Sequence, residues 1–357
     1  MGKKILLLSI TLISTVYSID AQSIRTIKKE LQQSIEKHET ELIKTSDAIW
    51  EAAETALLEF KSSKILIDHA KRNGFDVEEG VAGIKTAFTA SYGSGRPIIG
   101  ILGEFDANAG ISQKRKPVKE ARIPGGAGHG CGHNLFGTAS LGAAIAIKEQ
   151  IEKGNIKGTV IFYGTPAEET IFAKVWMVRE GLFDKLDVCM DWHPGDEIEA
   201  GTQSSKALVD FRVKFRGSSA HASSDPWNGK SAADAMELYT TGLNYYREHI
   251  EPTARIHYQI EKAGDVVNVV PDYAQIWTRL RQNNRAGVDV LYERALDIAK
   301  GAALMTGTTY ETKLISGIYE IQVNRTGAAI LQKNLETLGE ITYTDSELNY
   351  ANTILKE

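Results

Sequence analysis

Hydrophobic and polar positions change their period twice along the chain. From residue 23 to about residue 74, apolar side chains recur at three- and four-residue spacing, which predicts helices. From residue 84 to residue 191, short runs rich in Val, Ile and Phe alternate with longer amphipathic stretches. This alternation predicts an α/β fold, with a mainly parallel sheet flanked by helices. The predicted strands are 84–92, 97–105, 158–163 and 186–191, and the predicted helices are 135–153 and 171–181.

A second pattern begins near residue 205, where residues 207–215 alternate apolar and polar side chains as a half-buried strand does. Two helices on one face of a small antiparallel sheet would account for the elements that follow. The further predicted elements are helices at 230–249, 286–304 and 326–338 and strands at 255–262, 272–280 and 309–316. The predicted domains are a catalytic domain over 22–205, an inserted α+β domain over 206–320 and the start of a returning catalytic segment over 321–357.

The first residues have a different character. Lys3 and Lys4 precede an apolar run over residues 5–16, and small or polar residues follow near Ala21, which is typical of a secretory signal peptide. We therefore predict a signal peptide over residues 1–21 and an exported protein, periplasmic or secreted. The run is shorter than the roughly 20 apolar residues of a membrane-spanning helix, so no span is expected. The alternatives are cleavage after Ser18, a retained anchor without lipid, and a buried N-terminal strand.

Composition limits the classes of partner. The chain has 357 residues, 42% of them hydrophobic and 24% charged, and a formal net charge of −5. Without a basic excess, neither nucleic acid nor an anionic membrane surface is expected as a partner. A small-molecule substrate is predicted instead. The two cysteines, Cys131 and Cys189, lie in unlike surroundings and are not predicted to pair.

Potentially reactive side chains follow three of the predicted strands. Glu104 and Asp106 end one strand, Glu168 and Glu169 follow another, and His193 follows a third. In α/β sheets, sites form just beyond the carboxyl ends of the strands. These side chains are therefore expected at one edge of the sheet.

A glycine-rich loop over residues 126–132 carries a thiol and an imidazole two positions apart, Cys131 and His133. Glycine lets the backbone turn sharply enough for both to face one ion. The side chains of Glu168 and Glu169, at adjacent positions after a strand, would point in different directions, so that one binds metal while the other faces water. With His193 as a further ligand, the set suits Zn²⁺ or Mn²⁺, and the thiolate favours zinc.

The same residues have simpler interpretations. The glycine loop could bind a dinucleotide, but it lacks the spacing of a dinucleotide-binding turn. Cys131 and His133 could be a nucleophile and its base, but no third residue that would orient them is evident. His129 is expected to have a structural or supporting role. His193 alone would more often be a satisfied core histidine than a ligand.

In this order the motifs resemble the M20 family of metallopeptidases and amidohydrolases, in the branch with a Cys-Gly-His loop that includes aminobenzoyl-glutamate hydrolases. The resemblance runs from about residue 54 to the end of the chain. The segments that carry it are Glu104-Phe105-Asp106-Ala107, His129-Gly130-Cys131-Gly132-His133-Asn134, Pro166-Ala167-Glu168-Glu169, His193-Pro194 and Asn268-Val269-Val270-Pro271-Asp272.

The resemblance implies a role for each matching residue. It implies that Glu168 is the general base and that Asp106 orients a ligand. His221 would reach a neighbouring subunit's active site from the inserted domain, which implies a homodimer, and Asn268 and Arg281 would lie near the substrate. The implied metal ligands, for one or two divalent ions, are Cys131, His133, Glu169 and His193.

The implied activity is hydrolysis of an amide between an acyl or aroyl group and an amino acid such as glutamate, with water as the nucleophile. His221 would supply a hydrogen bond or a positive charge to the developing oxyanion. The family's peptidases carry a ligand histidine where Glu104 stands here, as the Cys-type branch implies.

The family also closes its site with a histidine near the end of the catalytic domain, whereas the last of the eight histidines here is His257. We therefore expect this sequence to be part of a longer chain. The alternative is an inactive relative that only dimerises or binds a ligand.

Overall fold

A computed structural model of the chain describes residues 2–356, and it describes side chains from residue 23 onward. The predicted signal peptide over residues 1–21 lies outside the residues with described side chains. The chain divides into two compact units, one formed by Met1–Asp196 with Thr342–Glu357 and the other by Glu197–Ile341. The domain boundaries predicted from the sequence stay predictions.

The first unit begins with two helices and two strands, and from Ile98 onward strands alternate with helices, as the sequence pattern predicts. Its elements in chain order are α1 (Gly2–Ala52), α2 (Phe60–Arg72), β1 (Asp76–Glu79), β2 (Phe88–Ser94), β3 (Ile98–Glu104), α3 (His133–Glu152), β4 (Gly158–Thr165), α4 (Glu168–Ile171), α5 (Lys174–Arg179) and β5 (Val188–Met190). Ala53 and Leu57, both with positive φ, turn the chain between α1 and α2, so the predicted helical region is two helices.

The five strands form one sheet in the order β1-β2-β4-β3-β5. β3 pairs parallel with β4 and β5, whereas β2 pairs antiparallel with β1 and β4. The α/β class is confirmed, and the sheet is mixed rather than mainly parallel. Residues 80–87, which join β1 to β2, are too few for the crossover of a dozen or more residues that a parallel pair needs.

Both faces of this sheet are covered, because neighbouring strand residues belong to different hydrophobic cores. Ile101 and Phe162 pack in the core that α1, α2 and α3 cover. Leu102 and Tyr163, one position further along each strand, pack in a second core that includes Met177 of α5. The two-residue alternation of a strand explains the division.

The second unit is an antiparallel sheet with helices, as its alternating pattern predicts. Its elements are β6 (Ala207–Arg216), α6 (Ala232–Tyr246), β7 (Arg255–Ala263), β8 (Tyr273–Gln282), α7 (Arg285–Thr306), β9 (Thr309–Ile318) and α8 (Arg325–Leu338). The strand order is β7-β8-β6-β9, and residues of α6 and α7 share one core with the sheet.

One more helix, α9 (Asp345–Ile354), follows in the residues grouped with the first unit. Thr344 accepts from the backbone of Glu347, and Glu347 bonds back to Thr344, which forms a capping box. Among the residues that the structure describes, no helix is both long and apolar enough to cross a membrane.

Candidate metal centre

The parallel pairing of β3 with β4 brings two acidic motifs to the same edge of the sheet. Glu104 is the last residue of β3, and its partner in the register is Thr165, the last residue of β4. Asp106 follows the first strand, and Glu168 begins α4 just after the second. The carboxyl ends of the two strands therefore deliver these carboxylates together, as predicted for an α/β sheet.

His133, the first residue of α3, is fully buried between two of these acids. Its Nδ1 donates a hydrogen bond to Asp106 Oδ1 at 2.9 Å, which in the neutral ring leaves Nε2 without a proton and able to bind a metal. Its Nε2 lies 2.9 Å from Glu104 Oε2 and 3.8 Å from Glu169 Oε1. The imidazole is thus oriented by one carboxylate and faces two others.

Asp106 orients a second side chain as well. Its other oxygen, Oδ2, accepts the backbone N–H of Glu169 at 2.9 Å, and the residue is 1% exposed. One buried carboxylate therefore fixes both the ring of His133 and the start of α4. This is the supporting role that the sequence resemblance implies for Asp106.

Three buried polar atoms at this centre have no aligned hydrogen-bond partner: Nε2 of His133, Oε2 of Glu104 and Oε1 of Glu169. A buried polar atom without a partner costs about 1–3 kcal/mol. Three that converge would be costly unless a further group satisfies them. An imidazole nitrogen and carboxylate oxygens are ligands for a divalent cation, so these residues fit a metal site.

Cys131 and His193 complete a group of possible ligands. The ligand atoms of Cys131, His133 and His193 lie within 4.8 Å of one another, and so do those of Glu104, His133 and Glu168. His193 donates from Nδ1 to the carbonyl of Pro194 at 2.8 Å, which leaves its Nε2 available. The structure therefore brings together the residues predicted from the sequence and adds Glu104.

Burial and neighbouring acids set the ionisation of these groups. Burial and the charge of Glu104 raise the pKa of Glu168 to about 7. Burial would lower the pKa of His133, but the hydrogen bond to Asp106 and the negative charge of Glu104 outweigh it and raise that pKa to about 10. Burial and Glu169 raise the pKa of the Cys131 thiol to about 11, which disfavours a thiol nucleophile.

Gly132 allows the ligand segments to approach each other. It precedes α3 with a φ of 72°, in the left-handed region that glycine adopts without strain. A Cβ at this position would lie 3.0 Å from the ring of Pro194. The absence of a side chain thus lets the Cys131–His133 loop pack against the residue that follows His193.

Lys174 is a functional-site residue that the sequence reasoning missed. Its ammonium forms an ion pair with Glu104 Oε1. Burial alone would raise the pKa of Glu104, but His133 and Lys174 outweigh it and hold that pKa below its usual range. Lys174 has no motif around it, because its partner lies 70 positions away on another element.

His129 makes a structural contact beside the loop. Its Nε2 lies 3.1 Å from the carbonyl oxygen of Ile49 in α1. Burial lowers the pKa of His129 to about 4, so the ring is neutral at physiological pH. The loop is therefore attached to α1 immediately before Cys131.

A cavity of about 740 Å³ adjoins the same loop and has a basic wall. Lys114 and Lys116 pair with Glu120, and Arg115 pairs with Asp47. The lining residues are Trp50, Ile111, Gln113, Lys114, Arg115, Lys116, Pro117, Val118, Lys119, Gly128, His129, Gly130, Tyr350 and Ile354.

The other predicted site residues, His221, Asn268 and Arg281, belong to the second unit. The ring of His221 accepts the backbone N–H groups of Ser223 and Ser224 at Nδ1, both at 3.2 Å. This pattern leaves the proton on Nε2, where it can be donated. Asn268 accepts the N–H of Ala222 through its carbonyl, which places it beside His221.

Comparison with known proteins agrees with this geometry. Residues 101–349 match the profile of Peptidase family M20/M25/M40. The chain is 40% identical to a p-aminobenzoyl-glutamate hydrolase component of Escherichia coli (strain K12) over 92% of its own length and 69% of that protein. It is 29% identical to a Xaa-Arg dipeptidase of Mus musculus over 92% and 76% of the two chains.

A solved structure shares the fold. The crystal structure of the aminobenzoyl-glutamate utilization protein from Klebsiella pneumoniae superposes with a TM-score of 0.66 at 18% identity, and the match covers 91% of this chain and 96% of that one. Both the family profile and the E. coli relative extend over most of the chain. The chain therefore belongs to Peptidase family M20/M25/M40 and is a metal-dependent amidohydrolase.

Proposed function

We propose that the centre hydrolyses the amide bond between an acyl or aroyl group and an amino acid, with an aminobenzoyl-glutamate-like substrate. The observation that carries the proposal is the convergence of unpartnered ligand atoms of His133, Glu104 and Glu169 beside Glu168. The name of the E. coli relative supports the class of substrate. The alternative of an inactive relative that only dimerises or binds a ligand is not favoured, because it does not explain why these ligand atoms converge.

His133, Glu169, Cys131 and His193 would hold one or two divalent ions, and Asp106 would keep His133 and Glu169 in position. The thiolate of Cys131 favours Zn²⁺, and the carboxylates also suit Mn²⁺. When bound, such an ion supplies the Lewis acidity that activates water and polarises the substrate carbonyl.

Glu168 acts as the general base. Its carboxylate takes a proton from the attacking water and returns it to the nitrogen of the leaving amine as the C–N bond breaks. Its pKa of about 7 suits a group that must both accept and release a proton near neutral pH. His133 and Lys174 keep Glu104 ionised beside it.

The basic cavity next to the Cys131 loop supports a substrate with a carboxylate. Four cationic side chains line it, and Lys119 among them forms no ion pair within the described part of the chain. An anionic group on the substrate would be attracted to such a wall. Trp50 and Ile111 offer apolar contact to an aroyl ring.

The second unit would complete the reaction through a homodimer. His221 would donate from Nε2 to the oxyanion that develops in the partner's active site, and Asn268 and Arg281 would bind the rest of the substrate. Export through the N-terminal signal peptide belongs to the same proposal.

The test is turnover of aminobenzoyl-glutamate and related amides by protein loaded with Zn²⁺ or Mn²⁺, compared with Glu168→Gln. Loss of the general base should lower kcat by about 10²–10⁴-fold. The metal content of the variant should be unchanged, because the proposed ligands remain. Normal turnover by Glu168→Gln would disprove the assigned base, and a full-length wild-type protein that is inactive on all acyl–amino acid amides would disprove the function.

A further inference from the structure

A second buried carboxylate, Glu59, holds the segment that carries the proposed base. Glu59 is completely buried, and both of its oxygens are bonded. Oε1 accepts the backbone N–H of Ala167 at 2.9 Å, and Oε2 accepts the hydroxyl of Thr86 at 3.0 Å. Ala167 directly precedes Glu168, so this contact lies one residue from the reacting carboxylate.

Glu59 is not explained as a helix cap, although it stands at the cap position of α2. Its side chain makes no capping hydrogen bond. Glu54 supplies that function instead, because its carboxylate accepts the N–H groups of Lys61 and Ser62 in the first turn of α2. The buried carboxylate of Glu59 therefore serves the Ala167 segment and Thr86 rather than its own helix.

The backbone that Glu59 binds is in an unfavourable conformation. Ala167 has a φ of 57° and a ψ of 35°, in the left-handed region that residues other than glycine rarely adopt. Such a conformation persists only where surrounding contacts enforce it. Two buried carboxylates enforce it here: Glu59 binds the N–H of Ala167, and Asp106 binds the N–H of Glu169. Glu168 is held between these two points.

We propose that Glu59 is a positioning residue, which aims Glu168 by holding the backbone of Ala167. The inference rests on the proposed role of Glu168 as general base. It assigns Glu59 no contact with substrate or metal. What is required of residue 59 is a hydrogen-bond acceptor at the right distance, and not a negative charge.

Two variants separate position from charge. Glu59→Gln keeps an acceptor for Ala167, and its amide can donate to Thr86, so kcat should stay within about threefold of wild type. Glu59→Asp keeps the charge but is one methylene shorter, and a displaced base should lower kcat by about 100-fold with KM nearly unchanged. A larger loss in Glu59→Gln than in Glu59→Asp would overturn the proposal.

Hydrogen exchange gives a readout that does not depend on turnover. Amides in a peptide covering residues 166–172 should exchange slowly in wild type and Glu59→Gln, and faster in Glu59→Asp. Equal protection in all three proteins would contradict the proposal. If wild type hydrolyses no amide substrate, the proposed function fails, while hydrogen exchange still tests whether Glu59 holds this segment.

Glu54→Ala is the matched control. It removes the cap of α2 in the same stretch of chain, so the melting temperature should fall while kcat and the protection of residues 166–172 are retained. A loss of kcat in Glu54→Ala as large as in Glu59→Asp would mean that any disturbance of this region inactivates the enzyme, and it would overturn the specific role of Glu59.

Discussion

Each unit of the protein buries acidic side chains, and the two groups differ in how their oxygens are satisfied. In the second unit, Asp210 is completely buried and bonds Trp277 and Arg279, the latter with Nε to Oδ2 at 2.9 Å. In the first unit, an oxygen of Glu104 and one of Glu169 are buried without an aligned partner. We call the first arrangement a closed network, because the protein supplies a partner for each buried carboxylate oxygen. We call the second an open network, because some of its buried oxygens have no aligned partner.

The difference shows that burial of a carboxylate does not by itself indicate function. A closed network satisfies its charges internally and serves the fold, although breaking it is costly. An open network leaves acceptors that an added cation can satisfy. Accounting for the partner of each buried polar atom therefore distinguishes a structural acid from a ligand.

The largest effect on stability is expected from breaking the closed network. Asp210→Ala removes the carboxylate that Arg279 and Trp277 bond, so the free energy of unfolding of the second unit should fall by about 3 kcal/mol. Denaturant unfolding measures it. Metal content of the first unit should not change. A variant as stable as wild type, or one that loses metal, would contradict the distinction between the two networks.

A smaller effect is expected when the orientation of the open network is disturbed. Asp106→Asn weakens the charged hydrogen bond to His133 and should lower metal affinity by about 10–100-fold. Competition with a chelator of known affinity measures the change. The circular dichroism spectrum of the variant without metal is the control for folding, because the amide of Asn has one acceptor oxygen for the two donors that Asp106 binds. Unaltered affinity would argue against Asp106 as the group that orients His133.

The smallest effect on stability is expected for a carboxylate near the surface that belongs to neither network. Glu149 of α3 pairs with Lys37 and His38 of α1 at 2.7 and 2.9 Å. Burial would raise the pKa of Glu149, but these partners outweigh it and lower the pKa to about 2. Because the pKa of Glu149 is lower in the folded state than the unfolded value of 4.5, its ionised form stabilises the folded state above about pH 4.5. This contribution is lost as the pH falls from 4.5 towards 2.

Glu149→Gln should therefore reduce the free energy of unfolding by about 1 kcal/mol at pH 7. Below pH 4.5 the difference between variant and wild type should shrink. Denaturant unfolding of both proteins across this pH range tests the direction of the pH dependence. A stability difference that grows on acidification would refute the prediction. Glu152→Gln, on the same helix, serves as the comparison variant.

Much of the fold could be predicted because its patterns are local. The runs at residues 97–105 and 158–163 and the alternation at 207–215 lie within two residues of β3, β4 and β6 at each end. β1 was missed, because its sequence Asp-Val-Glu-Glu has no apolar periodicity. α9 was also missed, although Thr344 and Glu347 form a capping box that could have indicated its start.

The candidate site was predictable where a motif carries it and not where distant elements meet. Cys131 and His133 share a loop, and Glu168 and Glu169 are adjacent, so their chemistry is visible in the sequence. Glu59 lies 108 positions from Ala167, and nothing local indicates that they meet. Such contacts depend on the packing of α2 against the sheet, which periodicity does not specify.

Gly132 is a position at which a substitution would disturb the metal centre although the residue itself is not a ligand. Any other residue there would have to adopt a φ of 72° and bring a Cβ to 3.0 Å from Pro194. A single nucleotide change could thus separate Cys131 and His133 from His193 while all the ligands remain encoded. An inactive descendant of this gene would then still display every ligand of the motif.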